Sequence, residues 1–170
     1  MLKIINDLRP FFEDNYRRIN VREYARLLKI SPPTASNLLH GYYEEGILKK
    51  EEEKQYIYYF ANKENGLFID LSRTYWKIQL EKAGMMNFFE KELMSPIIIL
   101  FGSLSKAETK PDSDIDIAVF TATEKRLNLK QFEKKLKRPA QLFMFKNMEE
   151  VKNNGLLKNI LNGYILKGCW

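Results

Sequence analysis

Residues 97–120 read Ile-Ile-Ile-Leu-Phe-Gly-Ser-Leu-Ser-Lys-Ala-Glu-Thr-Lys-Pro-Asp-Ser-Asp-Ile-Asp-Ile-Ala-Val-Phe. Two apolar runs, Ile97–Phe101 and Ile115–Phe120, have the length and β-branched content of buried strands. Between them lies a polar loop with Lys106, Thr109, Lys110, Pro111 and Asp112 that fits neither helix nor strand periodicity. Gly102-Ser103 closes the first strand, and Asp114 and Asp116 open the second. Residues two apart on a strand point to the same face, so the two carboxylates are expected side by side at a sheet edge. Like charges held that way repel unless something positive lies between them, and a divalent cation is the usual answer. An Asp-x-Asp pair at a loop-to-strand junction is also ordinary turn chemistry. The pair alone therefore leaves the matter open.

The surrounding pattern says more. Gly-Ser, ten residues (Leu104–Ser113) and then Asp-x-Asp resembles the signature of the minimal nucleotidyltransferases of the DNA polymerase β superfamily. The likeness extends over roughly residues 95–145 and includes the polar loop with its basic residue and the run Pro-Asp-Ser-Asp-Ile-Asp. It implies transfer of a nucleoside monophosphate from a nucleoside triphosphate, ATP first among them, to a protein or small-molecule hydroxyl, with Mg²⁺ as cofactor. On that reading Gly102 permits close backbone approach and Ser103 offers a hydroxyl and an N–H to the phosphates. Asp114 and Asp116 are the catalytic acids and hold the metal. Lys106 binds the phosphate tail, with Lys110 as a helper. Stand-alone members resemble antitoxins that adenylylate a helical toxin, so such a protein is an implied partner. The chain departs from the pattern in one respect. Active members carry a third carboxylate on a later strand, and the matching segment here, Pro139–Phe145, contains no Asp or Glu. Its polar inward residue is Gln141, a poor Mg²⁺ ligand, so catalysis should suffer more than nucleotide binding. Glu133 and Glu149 are the nearest acids in sequence. Ala107 stands where relatives often have Gly.

Toward the N-terminus, Leu2, Ile4, Ile5, Leu8, Phe11 and Phe12 form a helical stripe that Pro10 should kink. Asn20 is placed to cap a helix over residues 21–29. Ser31 caps and Pro32 opens the next helix, which buries Ala35, Leu38, Leu39 and Tyr42 and stops at Gly46. Paired stretches 48–52 and 55–60 follow, with residues 51–54 at the tip. Helix, turn, helix and hairpin together resemble a winged helix-turn-helix. In such domains the second helix enters the major groove. Its polar residues Ser31, Thr34, Ser36, Asn37 and His40 are the candidate base contacts, and Arg17, Arg18, Arg22 and Lys29 the candidate phosphate contacts. That helix carries no Lys or Arg, so a protein-binding or dimerising role, including a homodimer, stands beside duplex-DNA binding.

Asn65-Gly66 reads as a boundary. Residues 67–93 then read as one long helix or two, broken near Gly84, with Arg73 and Lys77 solvated. After the acidic pair come a helix over 127–136, a strand over 140–145, a capping box at Asn147–Glu150 opening a helix, and a short strand after Gly163. The expected organisation is α+β. It comprises a winged helix-turn-helix over 1–65, a linking helical segment over 66–94, and a polymerase-β-like domain over 95–170 with a small mixed sheet flanked by helices.

Composition bounds the rest. Of the net +6, residues 1–65 carry +1 (11 basic, 10 acidic) and residues 66–170 carry +5 (17 basic, 12 acidic). The excess lies where a nucleotide would be attracted. One cysteine, Cys169, forbids an internal disulfide, and one histidine, His40, forbids a histidine-based metal site. No apolar run is long enough for a membrane span, and the opening residues lack a secretory pattern. A cytoplasmic protein is expected. Three functions fit: the transferase with a DNA-binding head, a catalytically degenerate nucleotide-sensing regulator that binds DNA, and a structural interaction protein.

Overall fold

The computed structural model describes residues 2–170. The chain divides into two compact units. The first comprises the chain up to Ser72 together with Ala107–Pro111, and the second comprises Arg73–Lys106 and Asp112–Trp170.

In the first unit α1 (Lys3–Asp7) and α2 (Arg9–Glu13) are separate helices broken at Leu8, with Pro10 in the opening turn of α2. β1 (Ile19–Asn20) leads into α3 (Val21–Leu28), where the Asn20 side chain accepts from Glu23 N as its capping position predicts. α3 ends because Lys29 turns left-handed (φ 55°). Ser31 then caps α4 (Pro32–Glu44), whose first residue is the proline expected there. Gly46, at φ 70°, turns the chain into β2 (Leu48–Glu53), which pairs antiparallel with β3 (Tyr56–Ala61). β1 adds to the other edge of β3, giving the order β1-β3-β2. The buried core gathers Ile5, Leu8, Phe11, Phe12, Tyr24, Leu39 and Phe68. The loop 107–111 is bound in by buried Asn15. Asn15 N donates to Thr109 O (2.8 Å), its Oδ1 accepts from Thr109 N (2.6 Å), and its Nδ2 donates to Phe11 O (2.7 Å). Half of the loop that the sequence places between the Gly-Ser bend and the acids thus belongs to the first unit.

α5 (Gly66–Ala83) starts with Asn65 Oδ1 accepting from Phe68 N. Gly84 (φ 86°) separates it from α6 (Met85–Glu92), at the break the sequence indicates. The second unit is built on a four-stranded mixed sheet, β6-β5-β4-β7. β4 (Ile97–Phe101) is antiparallel to β5 (Ile115–Phe120) and to β7 (Tyr164–Lys167), while β6 (Ala140–Phe145) is parallel to β5. The parallel pair needs a crossover, which α7 (Lys130–Leu136) supplies. α8 (Asn154–Leu161) covers one face, its Ile160 packing with Ile99, Phe101, Ala118 and Phe120. The capping box at Asn147 forms, with Asn147 Oδ1 accepting from Glu150 N, but it opens only a 3₁₀ turn over Met148–Glu150. Buried Val151 leaves helical geometry (φ −80°, ψ 82°) to reach the core, and the helix begins instead at Asn154 under an Asn153 cap. The architecture is α+β with a small mixed sheet and helices around it.

Candidate active site

β4 and β5 lie side by side, with Phe101 opposite Asp116. This register puts the residue after β4, Gly102, against the acidic end of β5. Gly102 has φ 70° and ψ −152°, a region essentially closed to other residues. A Cβ there would run into Asp116 Oδ2 and stand 3.0 Å from its Cγ. The glycine is therefore required twice, by its backbone and by the carboxylate beside it. Ser103–Ser105 follow as one 3₁₀ turn, closed by Ser105 Oγ donating to Gly102 O at 2.9 Å. Lys106 leaves the turn with its Nζ donating to Asn159 Oδ1 of α8 at 2.9 Å.

Asp116 lies on the β5 face on which Ala118 and Phe120 meet α8, and Asp114, the residue just before the strand, is near enough to act on its charge. Burial, and secondarily the neighbouring Asp114, raise the Asp116 carboxyl above its ordinary range. Gln141 is in register with Asp116 on β6, and its Nε2 donates to Asp114 Oδ2 at 2.6 Å. An amide therefore occupies the strand position where the resemblance expects a third carboxylate. The other acids considered do not replace it. Glu133 Oε1 accepts from Ala140 N at 2.9 Å. Glu149 lies on the turn beside Thr121 and Phe120, at the opposite end of β5. Among the described residues no three His, Cys, Asp or Glu side chains form a metal-holding group. The donor set is two carboxylates and an amide.

Arg73, expected in solvent, instead donates from Nε to Ser105 O at 2.7 Å. Arg138, buried and set over the ring of Trp76 at 4.9 Å, donates from Nη1 to Ser113 O at 2.9 Å. Neither residue stood out in the sequence. Arg138 ends the basic run Lys134-Lys135-Leu136-Lys137-Arg138, and the one usable signal was an arginine among lysines just before a proline and a strand.

The residues expected to meet DNA are on the surface of the first unit. Ser31, Thr34, Ser36, Asn37 and His40 are all exposed on or just before α4. Ser31 and Thr34 are joined hydroxyl to hydroxyl at 2.8 Å, and His40 stacks on Tyr43. Arg17 pairs with Glu23 at 2.6 Å, and Arg18 with Glu51 (3.2 Å) and Glu53 (3.1 Å). Lys110 also belongs to this unit, 5.6 Å from the centroid of the Tyr16 ring. The other two candidate phosphate contacts, Arg22 and Lys29, line an open groove of about 700 Å³ together with Arg26, Ala25, Ile30 and Pro32.

Residues 85–167 match the family model described as Polymerase beta, Nucleotidyltransferase. The match supports a domain of the polymerase β superfamily over that span, with nucleotidyl transfer, in general terms, as its chemistry. Comparison with curated proteins and with solved structures finds no match. No helix among the described residues is long and apolar enough to cross a membrane.

Proposed function

We propose that the second unit is a Mg²⁺-dependent transferase that moves a nucleoside monophosphate from a triphosphate, ATP first among them, to a protein or small-molecule hydroxyl. The observation that carries this reading is the meeting of Gly102 with Asp116, which makes the Gly-Ser bend and the acids address one small volume. Two hard oxygen donors at the start of one strand, one of them half-buried and held above its usual pKa, are a donor set that a divalent cation relieves. Asp114 and Asp116 are the residues that would hold it. When bound, Mg²⁺ supplies charge neutralisation and orientation of the phosphates. Ser103 offers its N–H and hydroxyl to the phosphate tail. Lys106 rests on the neutral Asn159, so it exchanges one amide contact for phosphate without losing an ion pair. The α-phosphorus bond to the leaving pyrophosphate breaks as the acceptor oxygen bonds to phosphorus. Gln141 has no group that takes a proton at neutral pH, so the acceptor proton passes to solvent and transfer is slow.

The test is incubation with α-labelled nucleotides and cell extract, beside Mg²⁺-dependent thermal stabilisation by ATP. Label transfer and stabilisation are expected in the wild type and absent in Asp114→Asn/Asp116→Asn. Gln141→Asp should raise the transfer rate by about tenfold or more, through restored general-base chemistry. A wild-type protein that ATP and Mg²⁺ do not stabilise would sink the reading.

Two observations favour a second reading, a nucleotide-sensing regulator with a DNA-binding head. One is the amide in the third acid's place. The other is the basic groove: no carboxylate among the described residues contacts Arg22, Arg26 or Lys29, whereas Arg17 and Arg18 are neutralised. The element order β1-α3-α4-β2-β3, with β1 paired to β3, supports a winged helix-turn-helix reading of this unit. On this view α4 offers Ser36, Asn37 and His40 to bases, and the phosphate contacts are Arg22, Arg26 and Lys29. Duplex binding should then fall with salt at a log–log slope of about −3, for three phosphates at roughly −0.9 each. Reversing the three charges should flatten it.

A further inference from the structure

The site has two halves joined by a loop, and each half has an arginine bonded to its backbone. We infer that Arg73 and Arg138 are positioning residues that set these halves separately, Arg73 the phosphate-binding bend and Arg138 the acidic strand. The inference rests on the nucleotidyltransferase reading above and assigns residues that neither the motif nor its spacing includes.

Ser105 is fully buried and held at both ends. Its hydroxyl closes on Gly102 O at 2.9 Å, and its carbonyl receives Arg73 Nε at 2.7 Å. The bend from Gly102 to Ser105 cannot open without breaking both bonds. The direction of the Ser103 N–H, which would face phosphate, is therefore set from α5. On the other side, Asp114 is held by its two backbone neighbours. Ser113 O receives Arg138 Nη1 at 2.9 Å, and Ile115 N donates to Pro139 O at 2.8 Å. With Gln141 on its carboxylate, Asp114 is fixed through backbone and side chain alike.

Arg138 is not a casual surface contact. It is 7 % exposed, and burying a guanidinium is costly unless its donors and its flat face are both used. Here one donor meets Ser113 O while the face lies 4.9 Å over Trp76, itself buried. Trp76 keeps that place although its Nε1 finds no acceptor, which points to the ring rather than the N–H as what the position requires. Lysine can supply neither the plane nor the fork. Arg73 and Arg138 bond to different carbonyls, and those carbonyls belong to halves with different work. Loosening one should not mimic loosening the other.

The experiment uses the full-length protein as wild type, Arg73→Lys and Arg138→Lys, each first checked for a cooperative thermal transition. Two quantities are read: the Mg²⁺ concentration giving half-maximal stabilisation by ATP, and the ratio of ATP to AMP affinity at saturating Mg²⁺. Arg138→Lys should raise the Mg²⁺ requirement about tenfold, as changes behind a metal ligand do, and leave the ATP-to-AMP ratio within about twofold. Arg73→Lys should lower the ATP-to-AMP ratio by a similar factor and leave the Mg²⁺ requirement in place. Should Arg138→Lys fail to fold, Trp76→Phe keeps an apolar ring but shrinks the platform, and a smaller rise in the Mg²⁺ requirement is expected. Both substitutions moving both quantities together, or neither quantity moving, would overturn the positioning roles while leaving the nucleotide site standing. A wild-type protein indifferent to Mg²⁺ and ATP would instead remove the site and this inference with it.

Discussion

Asp7 in the first unit and Asp116 in the second are both carboxylates drawn away from water, but their surroundings differ. Asp7 receives Lys3 Nζ at 2.7 Å and the Tyr42 hydroxyl at 2.8 Å, and its backbone carbonyl receives Tyr24. Burial first, and Asp7 second, hold both tyrosine hydroxyls far above their ordinary range. Outside the basic groove, several exposed charges of this unit are matched as well: Arg17 with Glu23, Arg18 with Glu51 and Glu53, and Lys49 with Glu64. Asp116 has a second acid as its neighbour instead, and no cation among the described residues pairs with either Asp114 or Asp116. Matched charges belong to the fold. Like charges held together by strand geometry oppose it, and a protein keeps them where a ligand brings the missing charge.

The contrast can be tested from its strongest point downward. Gly102→Ala should have the largest effect, because the new methyl meets Asp116 and the backbone conformation is one that alanine resists. A stability loss of about 3 kcal/mol is expected from strain of roughly 1–3 kcal/mol plus the displaced carboxylate. Stabilisation by Mg²⁺ and ATP should vanish. Urea unfolding and thermal shift report the two effects, and an alanine variant with a full nucleotide response would show that the space is not reserved for that acid.

Asn15→Ala tests the matched side. It removes two buried side-chain hydrogen bonds and strands the Thr109 N–H, while the bond from the residue-15 backbone N–H to Thr109 O remains, at an expected cost of about 2–3 kcal/mol. Proteolysis should then cut within residues 107–111 of the variant before the wild type. Equal resistance would show that the Asn15 bonds do not retain the loop.

Asp116→Asn tests the unmatched side and should work in the opposite direction. A folded-state pKa raised above the unfolded value of about 3.9 stabilises the protonated form. That contribution is complete below the unfolded value and is lost as pH climbs through the raised one. At neutral pH the ionised acid therefore costs stability. The asparagine variant should melt higher than wild type at pH 7 in the absence of metal, and the advantage should fade in acid. A variant that melts lower at pH 7 would contradict the idea of uncompensated charge.

The smallest effect is expected at Arg18→Ala. Its ion pairs with Glu51 and Glu53 are largely exposed, and such pairs contribute under about 1 kcal/mol. A larger loss by urea unfolding would mean that matched charges do more here than tidy the surface.

Much of the architecture was legible because it is written in neighbouring residues. Short apolar runs rich in β-branched residues placed β4 and β5, caps placed the starts of α3 and α4, and glycines marked the ends at Gly46 and Gly84. The acids were found by the same means, since a spacing of two defines a strand face without reference to anything distant. The capping box at Asn147 shows the limit, for a correct local signal produced one turn when Val151 was drawn into the core.

What the linear chain determined was the set of local devices: a glycine-serine bend, an acidic pair on one face, and the absence of a third acid on the following strand. Tertiary structure alone decided what holds them. Arg73 reaches Ser105, Arg138 reaches Ser113, Gln141 reaches Asp114 and Asn15 reaches Thr109 across separations from 25 to 94 residues. Backbone periodicity is a property of a few adjacent residues and leaves a trace in their order. The choice of a distant partner depends on which side chains packing brings within 3 Å, and no repeating pattern along the chain records that.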